Sequence, residues 1–307
     1  MSDAPERKRS TSIGIACTIA GAIGFSAKTV IVKLAYRYGV DVMTLLALRM
    51  LFALPFFLLM VWWAGRGSAT LTPANWASLL GLGFIGYYLG SYLDLAGLQY
   101  ISAGFGRLIL YLYPTLVLVF SATLLKQRVR ATQWLSLALS YAGIVLVFGT
   151  EVHPGADLSR IALGAGLVFL SAVTYAIYLI AGSRLVQKMG SLRFTGYASI
   201  AATSFVLATF ASVRGTAALS VPNEVYGLTI VLSIFSTALP LWLMAEGLKR
   251  IGASQAALFA CIGPIFTIAL AYVFLDEPIA LVQLAGAVLV LAGVAVISVK
   301  PRRASER

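Results

Sequence analysis

The sequence predicts an all-α polytopic membrane protein with ten transmembrane helices, arranged as two inverted five-helix repeats around a central cavity. Composition is the first observation: of 307 residues, 60% are hydrophobic and only 11% are charged, and the mean hydropathy is +0.92. Soluble domains carry about 25% charged residues, so this chain must be dissolved in lipid. The other two observations are a repeat at an offset of 150 residues and a reversal of loop charge between its copies.

Ten segments are long and apolar enough to cross a bilayer, which requires roughly 20 apolar residues each. In order they are 13–36, 40–64, 76–98, 102–125, 131–149, 161–186, 194–213, 225–247, 253–275 and 279–299. The first apolar stretch exceeds the about 7–15 residues of a signal-peptide core, so we assign it as a helix. The resulting organisation is a tail at 1–12, repeat 1 at 13–149, a linker at 150–160, repeat 2 at 161–299 and a tail at 300–307.

The repeat is visible as ungapped identities 150 residues apart, which pair Gly97-Leu98 with Gly247-Leu248, Ile101 with Ile251, Pro114 with Pro264, Gln133 with Gln283 and Ala142-Gly143 with Ala292-Gly293. Five spans per copy is an odd number, so tandem copies insert in opposite orientations. The loops agree, because the basic run 126–130 falls opposite Asp276 and Glu277, and Lys and Arg stay cytoplasmic. Inverted repeats of this kind are typical of transporters.

The net charge of +12 orients the chain in the membrane. With a cytoplasmic amino terminus, most of the 23 Lys and Arg residues lie on the cytoplasmic side, and only Arg37, Arg160 and Arg214 lie clearly in loops on the other side. This bias predicts a bacterial inner-membrane protein with both termini in the cytoplasm. A nucleic-acid partner is not expected, because the sequence has no basic stripe with interleaved aromatic residues.

No catalytic or metal-binding constellation is present in the sequence. The single histidine, His153, lies in the linker, and the phosphate-binding and metalloprotease motifs are missing. Cys17 and Cys261 lie in different spans, so neither a disulfide framework nor a CxxC metal site is indicated. We therefore expect no enzyme activity, no cofactor and no metal.

Pro114 and Pro264 lie near the middle of equivalent spans. A proline inside a helix frees the carbonyl four residues earlier, here on Leu110 and Ala260. Lipid cannot satisfy a free carbonyl, so such a break is tolerated where protein or a water-filled cavity faces it. We expect both prolines to mark kinks that line and gate the cavity; a simple packing kink is the alternative. Gly86-x-x-x-Gly90 indicates close helix packing.

Lys28 is the strongest candidate for a charged binding residue. It lies about eight residues, or about 12 Å, from the end of its helix, and an ionisable residue at that depth indicates function. We expect it to bind a carboxylate or to gate the cavity; pairing with Asp94 or with free carbonyls is the alternative. Asp94 is expected at a hydrated mouth, whereas Arg49 and Arg107 are expected to be structural anchors.

Tyrosines are the other candidates for the cavity. Tyr88 and Tyr92 are four residues apart and share a helix face, Tyr111 precedes Pro114 by three residues, and Tyr175 and Tyr178 are three apart in the sixth span. A buried tyrosine offers an apolar ring and a hydroxyl that requires a partner, which suits an amphipathic or aromatic solute. We expect these residues and Ala260 to line the cavity, with packing against lipid as the alternative.

The chain resembles the drug/metabolite transporter superfamily, and specifically its ten-helix EamA type. The resemblance is carried by Ala47-Leu48-Arg49, Gly97-Leu98 through Tyr113-Pro114, Gln133 to Gly143, Gly247 to Ser254, Gly263-Pro264, Asp276-Glu277-Pro278 and Leu291-Ala292-Gly293. The first copy departs from the family at Lys126-Gln127-Arg128, where an acidic residue is usual. Tyr111 to Pro114 and Tyr175 are most similar to aromatic amino acid exporters of the YddG type. This resemblance implies a cavity lined by helices one, three, four, six, eight and nine.

Together, these features favour an exporter of aromatic or other bulky hydrophobic amino acids that works by alternating access. Export of drugs or other amphipathic metabolites is the alternative, and a non-transporting membrane scaffold is a remote one. The expected partners are the lipid bilayer and a small-molecule substrate. Ten helices around one cavity are compatible with a monomer, and the scarcity of acidic residues leaves open whether transport is driven by protons or by the substrate gradient.

Overall fold

The computed structural model describes residues 3–64, 71–124, 131–152, 157–260 and 262–298, and these residues are mostly helical. Eight of the described helices are long and apolar enough to span a membrane, and two shorter apolar helices follow them. We number the ten segments α1 (Thr11–Tyr36), α2 (Val42–Ala64), α3 (Pro73–Gly97), α4 (Ala103–Thr123), α5 (Ala131–Glu151), α6 (Leu158–Met189), α7 (Ser191–Val213), α8 (Asn223–Ile251), α9 (Gly263–Leu275) and α10 (Leu281–Val296).

The connection between α8 and α9 differs from the expected loop after residue 247. Helical structure continues there from Leu239 to Ala260. The chain nevertheless reverses direction, because Pro240 packs against Gly24 and Ile251 against Gly14, while the carbonyl of Gly263 again lies beside Ser26. The chain therefore changes direction within the helical residues Leu239–Ala260, and the number of membrane-spanning segments is still ten.

Four connections meet at one end of the molecule, which we call the linker end: residues 37–41, 98–102, 214–222 and 276–280. Helix α5 ends and helix α6 begins at this same end, near Glu151 and Asp157. Arg214 pairs with Asp41 at 3.3 Å, and Arg37 donates to the carbonyl of Leu275 at 2.7 Å. Because α4 starts at this end and α9 finishes at it, equivalent helices run in opposite directions. The repeats are therefore inverted. The basic run Lys126 to Arg130, His153, Cys261 and the tail 300–307 lie outside the described residues.

Helix contacts repeat at the same offset of 150 residues. Gly97 packs so closely on Gly164 and Val168 that a Cβ atom would not fit, and Gly247 packs in the same way on Gly14 and Thr18. Each of these pairs is the other one shifted by 150 residues, with the roles of the repeats exchanged. The α3–α6 contact is thus equivalent to the α8–α1 contact, which is the signature of a pseudo-two-fold axis between inverted repeats.

Two local irregularities also obey this symmetry. A π-helical turn interrupts α3 at Gly83–Leu89, and another interrupts α8 at Ile234–Ala238. Such turns bulge a helix and are frequent at functional sites. The first turn packs against Tyr178 of α6 through Gly86, and the second packs against Gly24 of α1 through the backbone of Phe235.

Glu277 links the repeats at the linker end. Its two carboxylate oxygens each accept a hydrogen bond of 3.0 Å from the backbone N–H of Ala103, and Lys33 lies 3.2 Å from the same carboxylate. Glu151 also accepts from the backbone N–H and the hydroxyl of Ser102. Carboxylates at a helix start satisfy free amides and complement the helix dipole. The first turn of α4 is therefore held from both repeats.

Candidate functional site

A cavity of about 240 Å³ lies at the interface of the two repeats. Side chains from α1, α2, α3, α4, α6 and α8 line it together with Ala260, which precedes α9. The contribution of α2 is not implied by the family resemblance and comes from Arg49. The lining residues that enter the arguments below are Phe25, Lys28, Arg49, Tyr87, Asp94, Arg107, Tyr111, Tyr113, Ser171, Tyr175, Leu241, Met244 and Ala260.

Lys28 and Asp94 form a buried ion pair in this cavity. Their Nζ and Oδ2 atoms are 2.6 Å apart, a distance typical of a charge-assisted hydrogen bond. Ala22, Phe25 and Lys28 are spaced by three residues on one face of α1, so the helix geometry itself turns Lys28 inwards. The pairing that sequence analysis held as the alternative for Lys28 is present. The expected hydrated position of Asp94 is wrong, since this residue is only 4% exposed.

Arg49 and Arg107 also reach the cavity, although sequence analysis treated them as structural anchors. They are 6% and 8% exposed. Arg49 donates from Nε to the hydroxyl of Thr237 at 3.2 Å, and the guanidinium of Arg107 lies 5.1 Å from the centre of the Tyr111 ring. Within the described part of the chain, Nη1 of Arg49 and Nε of Arg107 have no hydrogen-bond partner. Applying the rule used for Lys28, that buried charge indicates function, identifies both arginines.

Aromatic rings form another part of the wall. The rings of Tyr113 and Tyr175 meet edge to face with centres 5.0 Å apart, and Tyr175 stacks on Tyr178 at 5.9 Å. Tyr178 in turn contacts Tyr87 edge to face at 5.2 Å. Tyr175 and Tyr111 line the cavity as expected, whereas Tyr178 supports this cluster from behind and is not among the lining residues. Gly86 makes room for it, because a Cβ there would collide with the Tyr178 ring.

Two of the expected tyrosines lie elsewhere. The hydroxyl of Tyr88 hydrogen-bonds that of Thr209 on α7 at 3.1 Å, and its ring contacts Phe84 and Phe205. Tyr92 is 39% exposed. The cavity receives another face of α3, which carries Tyr87 and Asp94. A spacing alone does not tell which face turns inwards.

The prolines lie just after interruptions in their helices. The helical structure of α4 is interrupted between Leu110 and Tyr113, and the helical residues before α9 end at Ala260. The carbonyl of Ala260, which Pro264 cannot satisfy, accepts a hydrogen bond of 2.8 Å from the hydroxyl of Tyr111. Neither Pro114 nor Pro264 lines the cavity itself. The residues before them do, so the interruptions present backbone and tyrosines to the cavity, while a gating role stays a prediction.

The arrangement can bind an amphipathic solute without performing chemistry on it. Its described lining combines three cationic groups, one carboxylate and several aromatic rings around a cavity of about 240 Å³. Among the described residues there is no group of three or more His, Cys, Asp or Glu side chains that could hold a metal ion.

Comparison with known proteins identifies the family. The model of the EamA-like transporter family matches residues 12–149 and again residues 162–299. This chain belongs to that family. It is 30% identical to the uncharacterized transporter YcbK of Bacillus subtilis (strain 168), over 91% of this chain and 90% of that protein. It is also 22% identical to the uncharacterized transporter YetK of the same organism, over 95% and 88% of the two chains.

A chain of known crystal structure shares the fold, with a TM-score of 0.64 and 18% sequence identity over 94% of this chain and 96% of that one. Family, relatives and apolar helices together define this EamA-family protein as a multi-pass membrane transporter of small molecules and not an enzyme.

Proposed function

We propose that this transporter exports aromatic or other bulky hydrophobic amino acids from a bacterial cell by alternating access, as a monomer in the inner membrane. The observation that carries the proposal is the joint presence of tyrosine rings and buried cations in one cavity between the repeats. Rings such as those of Tyr113 and Tyr175 suit an aromatic or apolar side chain. Buried guanidinium groups suit a carboxylate, because they present several donors in a planar array.

The size of the cavity favours a small metabolite. Pockets for drug-sized ligands usually measure about 300–1,000 Å³, and this one measures about 240 Å³. Its position supports alternating access, since substrate sites of transporters with inverted repeats lie at the repeat interface near the middle of the membrane. In such a cycle the contacts of Glu277 with Ala103 and Lys33 would be made in one state and broken in the other.

The orientation follows from charge. The linker end carries Asp41, Asp157, Asp276 and Glu277. Described basic residues at the opposite end include Arg184, Lys188, Lys249 and Arg250, and the sequence has further basic residues in 126–130 and in the carboxyl-terminal tail. The positive-inside rule places that opposite end, with both termini, in the cytoplasm. Cysteine labelling tests this: Glu277→Cys should react with an impermeant maleimide added outside intact cells, and Arg128→Cys should not. Labelling of both or only of Arg128→Cys contradicts the orientation.

Export of drugs or other amphipathic metabolites is the second candidate, supported by the apolar side chains of Phe25, Leu241 and Met244 in the cavity wall. A lipophilic cation fits poorly, because the cavity already contains three cationic groups and its carboxylate is paired. An uncharged or anionic metabolite remains compatible with the geometry. The two candidates differ in whether amino acids are transported at all.

Counterflow in proteoliposomes distinguishes them. Purified protein is reconstituted with unlabelled phenylalanine, tryptophan, leucine or alanine inside, and uptake of the same labelled amino acid is measured. We expect exchange of phenylalanine and tryptophan to exceed that of alanine, and a protein-free liposome is the control. Repeating the assay with an imposed proton gradient shows whether transport is coupled to protons. Absence of exchange for every aromatic amino acid contradicts the proposal.

A further inference from the structure

We infer that the cavity selects its substrate by a negatively charged group held between Arg49 and Arg107, and that an ammonium group on the substrate is dispensable. The substrate class is then small aromatic or hydrophobic carboxylates, of which amino acids are one subset. This inference deepens the proposed function and rests on it for the cavity being the transport site.

The first step is the charge balance of the cavity. Among the described residues that line it, three are cationic and Asp94 is the one carboxylate. Asp94 is already engaged by Lys28 at 2.6 Å, so this pair is neutral as a whole. What is left is the charge of Arg49 and Arg107, two formal positive charges in a site surrounded by lipid-facing helices. An empty cavity of this kind attracts anions.

The second step concerns hydrogen bonding. Arg49 is 6% exposed and Arg107 is 8% exposed, yet Nη1 of the first and Nε of the second have no partner among the described residues. Buried guanidinium donors without acceptors are unfavourable, and a ligand carboxylate would supply the acceptors. Arg49 is already oriented by Thr237, and Arg107 by the Tyr111 ring, so both groups are held in place before a ligand arrives.

The third step concerns the groups that could hold a substrate ammonium, of which two hydroxyls and the Asp94 carboxylate are already engaged. The hydroxyl of Ser171 donates to the carbonyl of Gly90 at 2.7 Å, and that of Tyr111 donates to the carbonyl of Ala260 at 2.8 Å. A substrate ammonium that took Asp94 from Lys28 would leave the Lys28 ammonium buried and unpaired in a cavity that also holds two arginines. The positive charges of Arg49 and Arg107 already repel the Lys28 ammonium. The charge balance of the site therefore favours a carboxylate over an α-ammonium group.

The fourth step is the apolar part of the ligand. Tyr113 and Tyr175 bring ring surfaces to the same cavity as the arginines. A short molecule with one carboxylate and one aromatic ring can therefore contact both regions at once. This makes 3-phenylpropionate the best simple probe, since it is phenylalanine without its ammonium group.

The test compares four ligands with the same ring and a chain of similar length, bound to the purified full-length protein in detergent and measured by isothermal titration calorimetry. They are 3-phenylpropionate, L-phenylalanine, phenethylamine and 3-phenylpropanol. We expect 3-phenylpropionate to bind at least as tightly as phenylalanine, and the amine and the alcohol to bind about tenfold more weakly or not at all. Equal or tighter binding of the amine or the alcohol overturns the inference, as does a lack of binding by 3-phenylpropionate.

The two proposals fail in different ways in this experiment. If 3-phenylpropionate binds and phenylalanine neither binds nor exchanges in liposomes, carboxylate selection is supported and amino acid export is wrong. If phenylalanine binds more than tenfold more tightly than 3-phenylpropionate, amino acid export survives and the ammonium group is required, which overturns the inference.

Substitutions then locate the anion site. Arg49→Gln and Arg107→Gln should each weaken binding of 3-phenylpropionate about tenfold or more. Arg193→Gln is the matched control, because Arg193 is a buried arginine that stacks over Tyr197 at 5.6 Å and does not line the cavity. Unchanged affinity in both cavity variants overturns the assignment of the arginines. Size-exclusion chromatography checks that each variant is folded, and the four-ligand comparison on the unaltered protein decides the inference if they are not.

Discussion

The two repeats build the same scaffold but contribute differently to the cavity. Contacts between helices obey the offset of 150 residues, as shown by Gly97 on Gly164 and Gly247 on Gly14. The charges do not. The four charged residues among the described lining residues all belong to repeat 1. The residues 150 positions after Lys28, Arg49, Asp94 and Arg107 are Tyr178, Ser199, Met244 and Ala257.

This difference distinguishes positions constrained by helix packing from positions constrained by the ligand. A glycine at a close helix contact is required in both repeats, because no larger side chain fits between the two backbones. A cavity position only has to suit the ligand, so its two copies are free to diverge. The symmetry of this protein is therefore a property of its helix packing. The charged residues that line the cavity come from repeat 1, and repeat 2 contributes rings such as that of Tyr175.

The largest effect is expected from breaking the ion pair between Lys28 and Asp94, which repeat 2 replaces by Tyr178 and Met244. Lys28→Met leaves Asp94 buried without its partner, and loss of one member of a buried ion pair costs about 3–5 kcal/mol. Apparent melting temperature in detergent measures the effect. The double variant Lys28→Tyr with Asp94→Met, which copies the residues of repeat 2, should recover much of the stability; a double variant as unstable as the single one contradicts this account.

The next effect concerns the shared scaffold. Gly97→Ala and Gly247→Ala each place a methyl group where another helix lies, so each should destabilise the protein by about 1–3 kcal/mol, and by similar amounts. Gly166→Ala on α6 is the control, since a Cβ atom there meets nothing within 4 Å, and it should be neutral or slightly stabilising. Unequal losses in the two glycine variants would show that the repeats do not bear the packing equally.

A smaller effect is expected for the aromatic wall from repeat 2. Tyr175→Ala removes ring contacts worth about 0.5–1.5 kcal/mol beyond the buried area, which should weaken binding of an aromatic ligand up to about tenfold without preventing membrane insertion. Tyr88→Ala is the matched control, because Tyr88 faces α7. Equal transport losses in the two variants would mean that Tyr175 only packs.

The smallest effect is expected for the hydrogen bond between the two interrupted helices. Tyr111→Phe removes the donor to Ala260, and single hydrogen bonds between membrane helices contribute about 0.6 kcal/mol on average. Tyr36→Phe removes a similar bond within repeat 1, to the carbonyl of Leu95. Both should lower the melting temperature slightly. Only Tyr111→Phe should change the transport rate, so an equal rate change in both variants would argue against coupling of the two helices.

The sequence predicts much of the fold because lipid restricts the solutions. Apolar length, an odd number of spans and a repeat are sufficient for ten helices in two inverted sets. The sequence does not reveal the π-helical turns near Gly86 and Ser236, which depend on packing and not on a residue type. The face that α3 turns inwards depends on such a turn, and this is why Tyr88 is placed outside the cavity and Tyr87 inside it.

The sequence identifies single charged residues that lie deep in a span, but it does not identify with certainty the residue that each one contacts. Lys28 stands out because it is charged and deep, and Asp94 could be named as a possible partner, but a single sequence does not show which residue of α3 lies opposite Lys28. Arg49 and Arg107 carry the same signal of buried charge. Their apparent closeness to helix ends conceals it, since distance along the chain is a poor measure of burial in a bundle.

The two carboxylates at the start of α4 also have a consequence for the order of assembly during synthesis. Glu151 follows Ser102 by 49 residues, and Glu277 follows Ala103 by 174 residues. At about 5–20 residues per second, the first leaves the ribosome about 2–10 s after the helix start and the second about 9–35 s after it. We therefore expect Glu151 to hold the free amide of Ser102 while repeat 2 is still being translated. The amide of Ala103 has no such acceptor until Glu277 has been synthesised. The hydrogen bonds at the start of α4 are therefore all formed only after the ninth helix has been inserted.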